Sequence, residues 1–225
     1  MGLRANIEEV LRRIEAACLR ANRDASSVRC VGVTKTVSID RILEAHSLGV
    51  STFGENYVQE SLPKVAALPS AEWHFIGQLQ SNKAKDVVAA GFSMVHSLDR
   101  PSLALELDKR CRIAGRTMSV LVEVNAAQEA SKGGVAKEQA QAFAAFVAES
   151  CPSLRLEGLM TFPPPDADPR PHFSALRILR DEISTKTGLA LPHLSMGISH
   201  DFEVAIEKGA TLVRLGTVLF GARGQ

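Results

Sequence analysis

The chain has 225 residues, enough for one large domain or two small ones. Hydrophobic residues make up 45% and charged residues 23%, which excludes a largely disordered chain. With 26 Lys and Arg against 25 Asp and Glu, the formal charge is +1, so no overall field draws in nucleic acid or an anionic membrane.

Residues 3–21 carry Leu3, Ile7, Val10, Leu11, Ile14, Ala17 and Cys18 at helical spacing, with arginines and glutamates on the other side. This is an amphipathic helix, not a secretory leader, and no apolar run approaches a membrane span; a cytoplasmic protein is expected. "VRCVGVT" (28–34) follows as a strand, and "SIDRILEAHSLG" (38–49) as a helix opened by Ser38 as N-cap and closed by Gly49.

The alternation continues with strand "VSTFG" and helix "ENYVQESLPKVAAL", strand "WHFIG" and helix "SNKAKDVVAAG", strand "SMVHS" and helix "RPSLALELDKRCRIAG". Then come strand "TMSVLVEVN" and helix "AKEQAQAFAAFVAES", strand "LRLEGLM" and helix "PHFSALRILRDEISTKTG", strand "HLSMG" and helix "HDFEVAIEKG", and strand "TLVRLG" before the closing "TVLFGARGQ". Eight strands, each followed by a helix or helical turn after one extra helix (1–24), predict an α/β protein: a single closed (β/α)8 TIM barrel over 28–225, with no second β-domain. A doubly wound sheet is the alternative. The Pro/Asp-rich "TFPPPDADPRP" is a βα loop, not a linker.

Cys18, Cys30, Cys111 and Cys151 form no C-x-x-C pair and sit in apolar patterns, as reduced core thiols do. The histidines lack metal-ligand spacing, and no metal is expected; His74, between Trp73 and Phe75, reads as a core or rim histidine.

Function in a barrel gathers at the strands' C-terminal ends. There the sequence sets Lys35 after strand 1, Gly54, Glu55 and Asn56 after strand 2, Gln78, Gln80, Ser81 and Asn82 after strand 3, Asn125 after strand 5, and Thr161 after strand 6. Ser195, Gly197 and Ser199 after strand 7, with Gly216 and Thr217 after strand 8, offer small residues and hydroxyls to a phosphate, and Arg214 adds guanidinium donors. Arg214 also has the plainer reading of a rim residue paired with Glu203 or Asp201. A lysine across the mouth from a phosphate site points to imine chemistry, with pyridoxal phosphate or with a phosphorylated sugar.

"VGVTKT", "FGENYVQE", "WHFIGQLQSNK", "VHSLDR", "VLVEVN", "SKGG", "GLMTF", "LSMGIS" and "VRLGTVLFGAR" run in order along nearly the whole chain, and together they resemble the pyridoxal phosphate homeostasis proteins, relatives of the alanine racemase barrel (fold type III). That resemblance implies that Lys35 carries pyridoxal 5'-phosphate as an aldimine and that Asn56 lines its ring. Ser195, Gly197, Gly216 and Thr217 would hold the phosphate, with Arg214 beside the cofactor. Gln78 stands where a proline is expected, Ile198 where a methionine is, and Val37 where a second lysine is often found. Lys132 would then have to serve any lysine-to-lysine relay.

The implied function is a carrier that holds the cofactor and supplies it to apoenzymes through transient contacts, without robust turnover and with no catalytic residues. A racemase on the same barrel is the alternative. Racemase relatives add a β-domain and a partner chain's tyrosine, whereas this sequence closes on the barrel pattern and has one tyrosine, Tyr57; a monomer is expected.

Overall fold

In the computed structural model, which describes residues 2–125 and 133–221, the extra helix α1 (Leu3–Arg20) precedes β1 (Arg29–Val33), α2 (Ile39–Ser47), β2 (Thr52–Glu55), α3 (Val58–Ala67), β3 (Glu72–Phe75) and α4 (Ala84–Ala90). Next come β4 (Met94–Leu98), α5 (Pro101–Ile113), β5 (Met118–Glu123), α6 (Lys137–Ser150), β6 (Leu154–Met160) and α7 (Pro169–Thr187). The order ends with β7 (His193–Ser195), α8 (Phe202–Glu207), β8 (Leu212–Leu215) and the short α9 (Thr217–Phe220). All eight strands are parallel and close in sequence order, β8 pairing back onto β1 with Val31 opposite Arg214. The closed barrel is the architecture expected from the alternation, and the doubly wound alternative is ruled out.

The main core lies between the barrel wall and its helices, where Trp73, Phe53, Phe75, Phe92, Phe173 and Phe202 are buried. Side chains alternate across a strand, so Val31, Met94, Leu121, Met160 and Leu212 form a separate apolar plug inside the barrel. That parity also turns His96 and Arg214 inward, two residues beyond Met94 and Leu212, and the buried His74 and Ser195 are hydrogen-bonded to His96 there. Barrel interiors are usually filled by branched aliphatic side chains, so this polar layer stands out.

Several element ends differ from the sequence reading. Glu55 belongs to β2, and α3 begins at Val58. Ser38 has extended backbone before α2, but its hydroxyl makes no capping bond. Helix α7 starts at Pro169, two residues before the predicted start, because Asp168 accepts from the Arg170 N–H and proline suits the first turn. Leu11 is 49% exposed, one position beyond the α1 stripe that buries Val10 and Ile14.

Helix α1 packs on α8 and α9, the helices behind the last two strands. Arg13 bonds Glu203 at 2.8 Å and lies over the Phe202 ring, while Asn6 donates to the Leu219 carbonyl at 3.1 Å. The extra helix therefore braces the segment that carries Gly216 and Thr217. No helix among the described residues is long and apolar enough to cross a membrane.

Candidate functional site

Lys35 sits half-buried on the turn after β1, between two lobes of one depression at the strands' C-terminal ends. The inner lobe, about 330 Å³, is lined by Lys35, Asn56, Arg214, Gly216 and Thr217 together with Val33, Ile76, Phe162, Ile198, Ser199 and His200. The outer lobe, about 320 Å³, shares Val33, Lys35, Gly216 and Thr217 and adds Arg41 and Ser38. Five of the seven residues that the resemblance assigns to the cofactor thus meet at one cavity.

The other two lie beneath it. The Ser195 hydroxyl accepts from Arg214 Nη1 at 2.5 Å and meets His96 Nδ1 at 2.8 Å inside the barrel, so it is engaged away from the lining; Ser199, four residues on, takes the wall position. Gly197 has φ +93°, and a Cβ there would stand 2.6 Å from that of Ala205, so only glycine lets α8 pack this close. Its carbonyl accepts from the Arg214 N–H at 3.0 Å.

A buried cluster that the sequence reading did not assemble holds the Lys35 turn. Thr36 is left-handed at φ +64°, a conformation costly for a β-branched residue unless its surroundings impose it. They do: Glu60 Oε1 accepts from the Thr36 N–H at 2.5 Å, and Lys64 Nζ donates to the Thr34 carbonyl at 2.6 Å, to Glu60 at 2.6 Å and to Glu55 at 2.8 Å. Thr34 Oγ1 also donates to Glu55 at 2.6 Å. Burial raises the Glu55 carboxyl above its ordinary pKa, against the pull of Lys64 and Thr34. At Glu60, burial acts upward too, but the bonds from Lys64 and Thr36 outweigh it and the carboxyl lies low.

Arg214 is 2% exposed. Its Nη2 donates to the Thr161 carbonyl at 2.9 Å, and its guanidinium lies 4.2 Å from the centre of the Phe162 ring. Neither Glu203 nor Asp201 bonds it: Glu203 pairs with Arg13, and Asp201 accepts from the Ile198 N–H. Burial lowers its pKa to about 10, with Glu123 and Asp201 opposing, so the group stays cationic at neutral pH. Arg214 Nε is buried with no hydrogen-bond partner among the described residues. A buried donor on a cavity wall is costly to leave unmade and suits a ligand that brings an acceptor.

From Arg214 a line of hydrogen bonds crosses the barrel: Ser195, His96, His74 at 3.0 Å from His96, then Glu72 at 3.0 Å from His74. Its two ends assign every proton. The guanidinium must donate to Ser195, so the serine donates to His96 Nδ1, His96 Nε2 donates to His74 Nδ1, and His74 Nε2 donates to the Glu72 carboxylate. Both rings are neutral in this arrangement, as burial requires by lowering their pKa values. Glu72, bonded by His74 and paired with Arg29 at 2.6 Å on the opposite face of the barrel, is held down at about 2. His74 is therefore a satisfied interior histidine that orders Arg214 at a distance.

Glu123, at the end of β5, is the other residue the sequence reading passed over. It is 8% exposed; burial pushes its carboxyl up to about 7, with Asp99 adding to the rise and Arg214 opposing it. The available signal was a lone acid in "VLVEV" at the inward parity of Leu121. Lys132 lies outside the described residues.

The family model described as "Alanine racemase, N-terminal domain" matches residues 6–224. A pyridoxal phosphate homeostasis protein of Aquifex aeolicus is 47% identical over 222 residues, covering 96% of each chain. The structure of PipY from Synechococcus elongatus with PLP bound superposes with a TM-score of 0.80 at 32% identity, over 94% of this chain and 100% of that one. An alanine racemase of Corynebacterium glutamicum has a TM-score of 0.71 at 14% identity, over 96% of this chain and 61% of that one, a likeness of fold alone.

Proposed function

Since this chain belongs to the family of pyridoxal phosphate homeostasis proteins, within the group defined by the alanine racemase N-terminal domain, we propose that it binds pyridoxal 5'-phosphate through Lys35 and acts as a carrier of that cofactor. One observation carries the reading: Lys35 and Arg214, whose buried Nε has no hydrogen-bond partner among the described residues, share the wall of a cavity closed by Ser199, Gly216 and Thr217.

When bound, pyridoxal phosphate supplies an aldehyde that an amine can capture and a ring that takes up electrons when its nitrogen is protonated. Lys35 provides the amine. Arg214 Nε–H provides a donor to a ring nitrogen, and a guanidinium cationic to about pH 10 gives up no proton at neutral pH. Ser199, Gly216 and Thr217 provide hydroxyls and close backbone approach for an anionic tail. Asn56 closes the ring side, and Phe162, stacked on the guanidinium, keeps water from it. Ser195 and Gly197 act one step removed, by holding Arg214 and by seating α8.

An arginine opposite the ring nitrogen leaves the ring a weak electron sink, which favours holding and release over turnover. Tyr57, 60% exposed and outside the cavity lining, offers no second acid for a racemase. We take the protein as a cytoplasmic monomer that hands its cofactor to apoenzymes by transient contact. Incubation of the loaded protein with a panel of L-amino acids tests this: slow loss of cofactor with unchanged stereochemistry is expected, and rapid, saturable racemisation would establish the enzyme instead.

A further inference from the structure

A second cavity of about 340 Å³ adjoins the inner lobe and shares Asn56, Ile76 and Phe162 with it. Glu123 lines it, nine-tenths buried, and its Oε2 has no hydrogen-bond partner among the described residues. Asn56 Oδ1 is likewise buried and without a partner among them. The described lining carries one acid and no cation. Two buried acceptors on residues that line one space are costly unless a ligand brings donors, and a buried carboxylate calls for positive charge as well. A primary ammonium brings both: three N–H donors and one charge in a compact group.

We propose that Glu123 and Asn56 form a subsite for the ammonium group of an incoming primary amine, which the protein accepts beside Lys35. The assignment rests on the reading that Lys35 holds an aldehyde cofactor, and it names the class of molecule that displaces it. Glu123 takes one proton from the ammonium and leaves a neutral amine at the shared wall. The incoming nitrogen would then replace the Lys35 nitrogen on the captured carbon, its two remaining protons passing to the Lys35 nitrogen as the lysine's carbon–nitrogen bond breaks, and the proton on Glu123 would follow them, so that Lys35 leaves as an ammonium. Glu123 is a carboxylate again, so the exchange consumes no oxidant and no net proton. In this arrangement release is driven by amines and not by water alone.

The test uses cofactor-free protein, so it does not depend on loading. Titrate n-propylamine, n-propanol and L-alanine into the wild-type chain and Glu123→Gln, following binding by calorimetry and the Glu123 carboxyl by carbon NMR. Propylamine stands for a lysine side chain and L-alanine for an α-amino acid; binding of either that moves the Glu123 resonance and weakens at least tenfold in Glu123→Gln supports the subsite and names its source. Equal binding of propanol, equal affinity in the variant, or an unmoved resonance would overturn it. Capture of pyridoxal phosphate by Lys35 in Glu123→Gln, scored separately by borohydride trapping, is expected to persist. Its loss would count against the cofactor site and not against the amine titration.

Discussion

Replacing Glu123 by glutamine has a stability consequence whose size follows from the burial of that carboxyl. In the unfolded chain it releases its proton near 4.5; in the fold burial and Asp99 delay release to about 7. At about 1.36 kcal/mol per pKa unit the difference amounts to about 3 kcal/mol. The folded state binds the extra proton, so wild-type stability is undiminished below pH 4.5, falls as pH rises towards 7, and levels off above it. His74, His96 and His193, whose pKa values burial lowers, act in the opposite sense, because the unfolded chain takes their protons near 6.5. The difference between Glu123→Gln and wild type cancels the histidines. Urea unfolding of both cofactor-free proteins from pH 4.5 to 8 is expected to give near-equal stabilities at the acid end and an advantage for the glutamine variant that grows to about 3 kcal/mol by pH 8. Parallel pH profiles would mean that the carboxyl is hydrated or paired in the fold, and would refute the reasoning.

Lys64→Met leaves Glu55 buried without its ammonium and should cost roughly 3 kcal/mol or more in chemical denaturation; a loss below 1 kcal/mol would mean that the cluster is solvated. His96→Leu cuts the line between Arg214 and Glu72, stranding the Ser195 hydroxyl and one nitrogen of His74, at about 1–3 kcal/mol for each buried group. An unchanged unfolding midpoint would place water in the gap. Thr217→Ala should speed dissociation of pyridoxal phosphate about tenfold, as for loss of one hydrogen bond to a charged group, and an unchanged rate would remove Thr217 from the anion site.

The barrel was legible because strand and helix patterns alternate eight times, and closure follows from topology more than from any single boundary. The meeting of Lys35, Asn56, Arg214, Gly216 and Thr217 at one cavity was legible for the same reason: each stands at or just beyond a strand's C-terminal end, where a barrel collects its loops. The Ser195 hydroxyl turns to Arg214 and His96 and not to the cavity lining, which was not legible because the last residue of β7 faces either the cavity or the interior according to strand parity, and parity at a three-residue strand is hard to read. Lys64 and Glu60 escaped notice, and Glu55 was placed only at the strand 2 rim, because their meeting depends on how α3 settles over the β1 turn, a tertiary fact. The His74–His96 pair required knowing that β3 and β4 turn the same face inward. Once closure is accepted, an acid or histidine at an inward position of an apolar strand is the signal to follow.

Borohydride reduction of the protein loaded with pyridoxal phosphate, followed by peptide mapping, bears on the covalent role of Lys35 without intermediate assumptions. One adduct on the peptide containing Lys35, absent from Lys35→Ala, is the expected result. A stable adduct on another lysine, or full loading of Lys35→Ala, would contradict it.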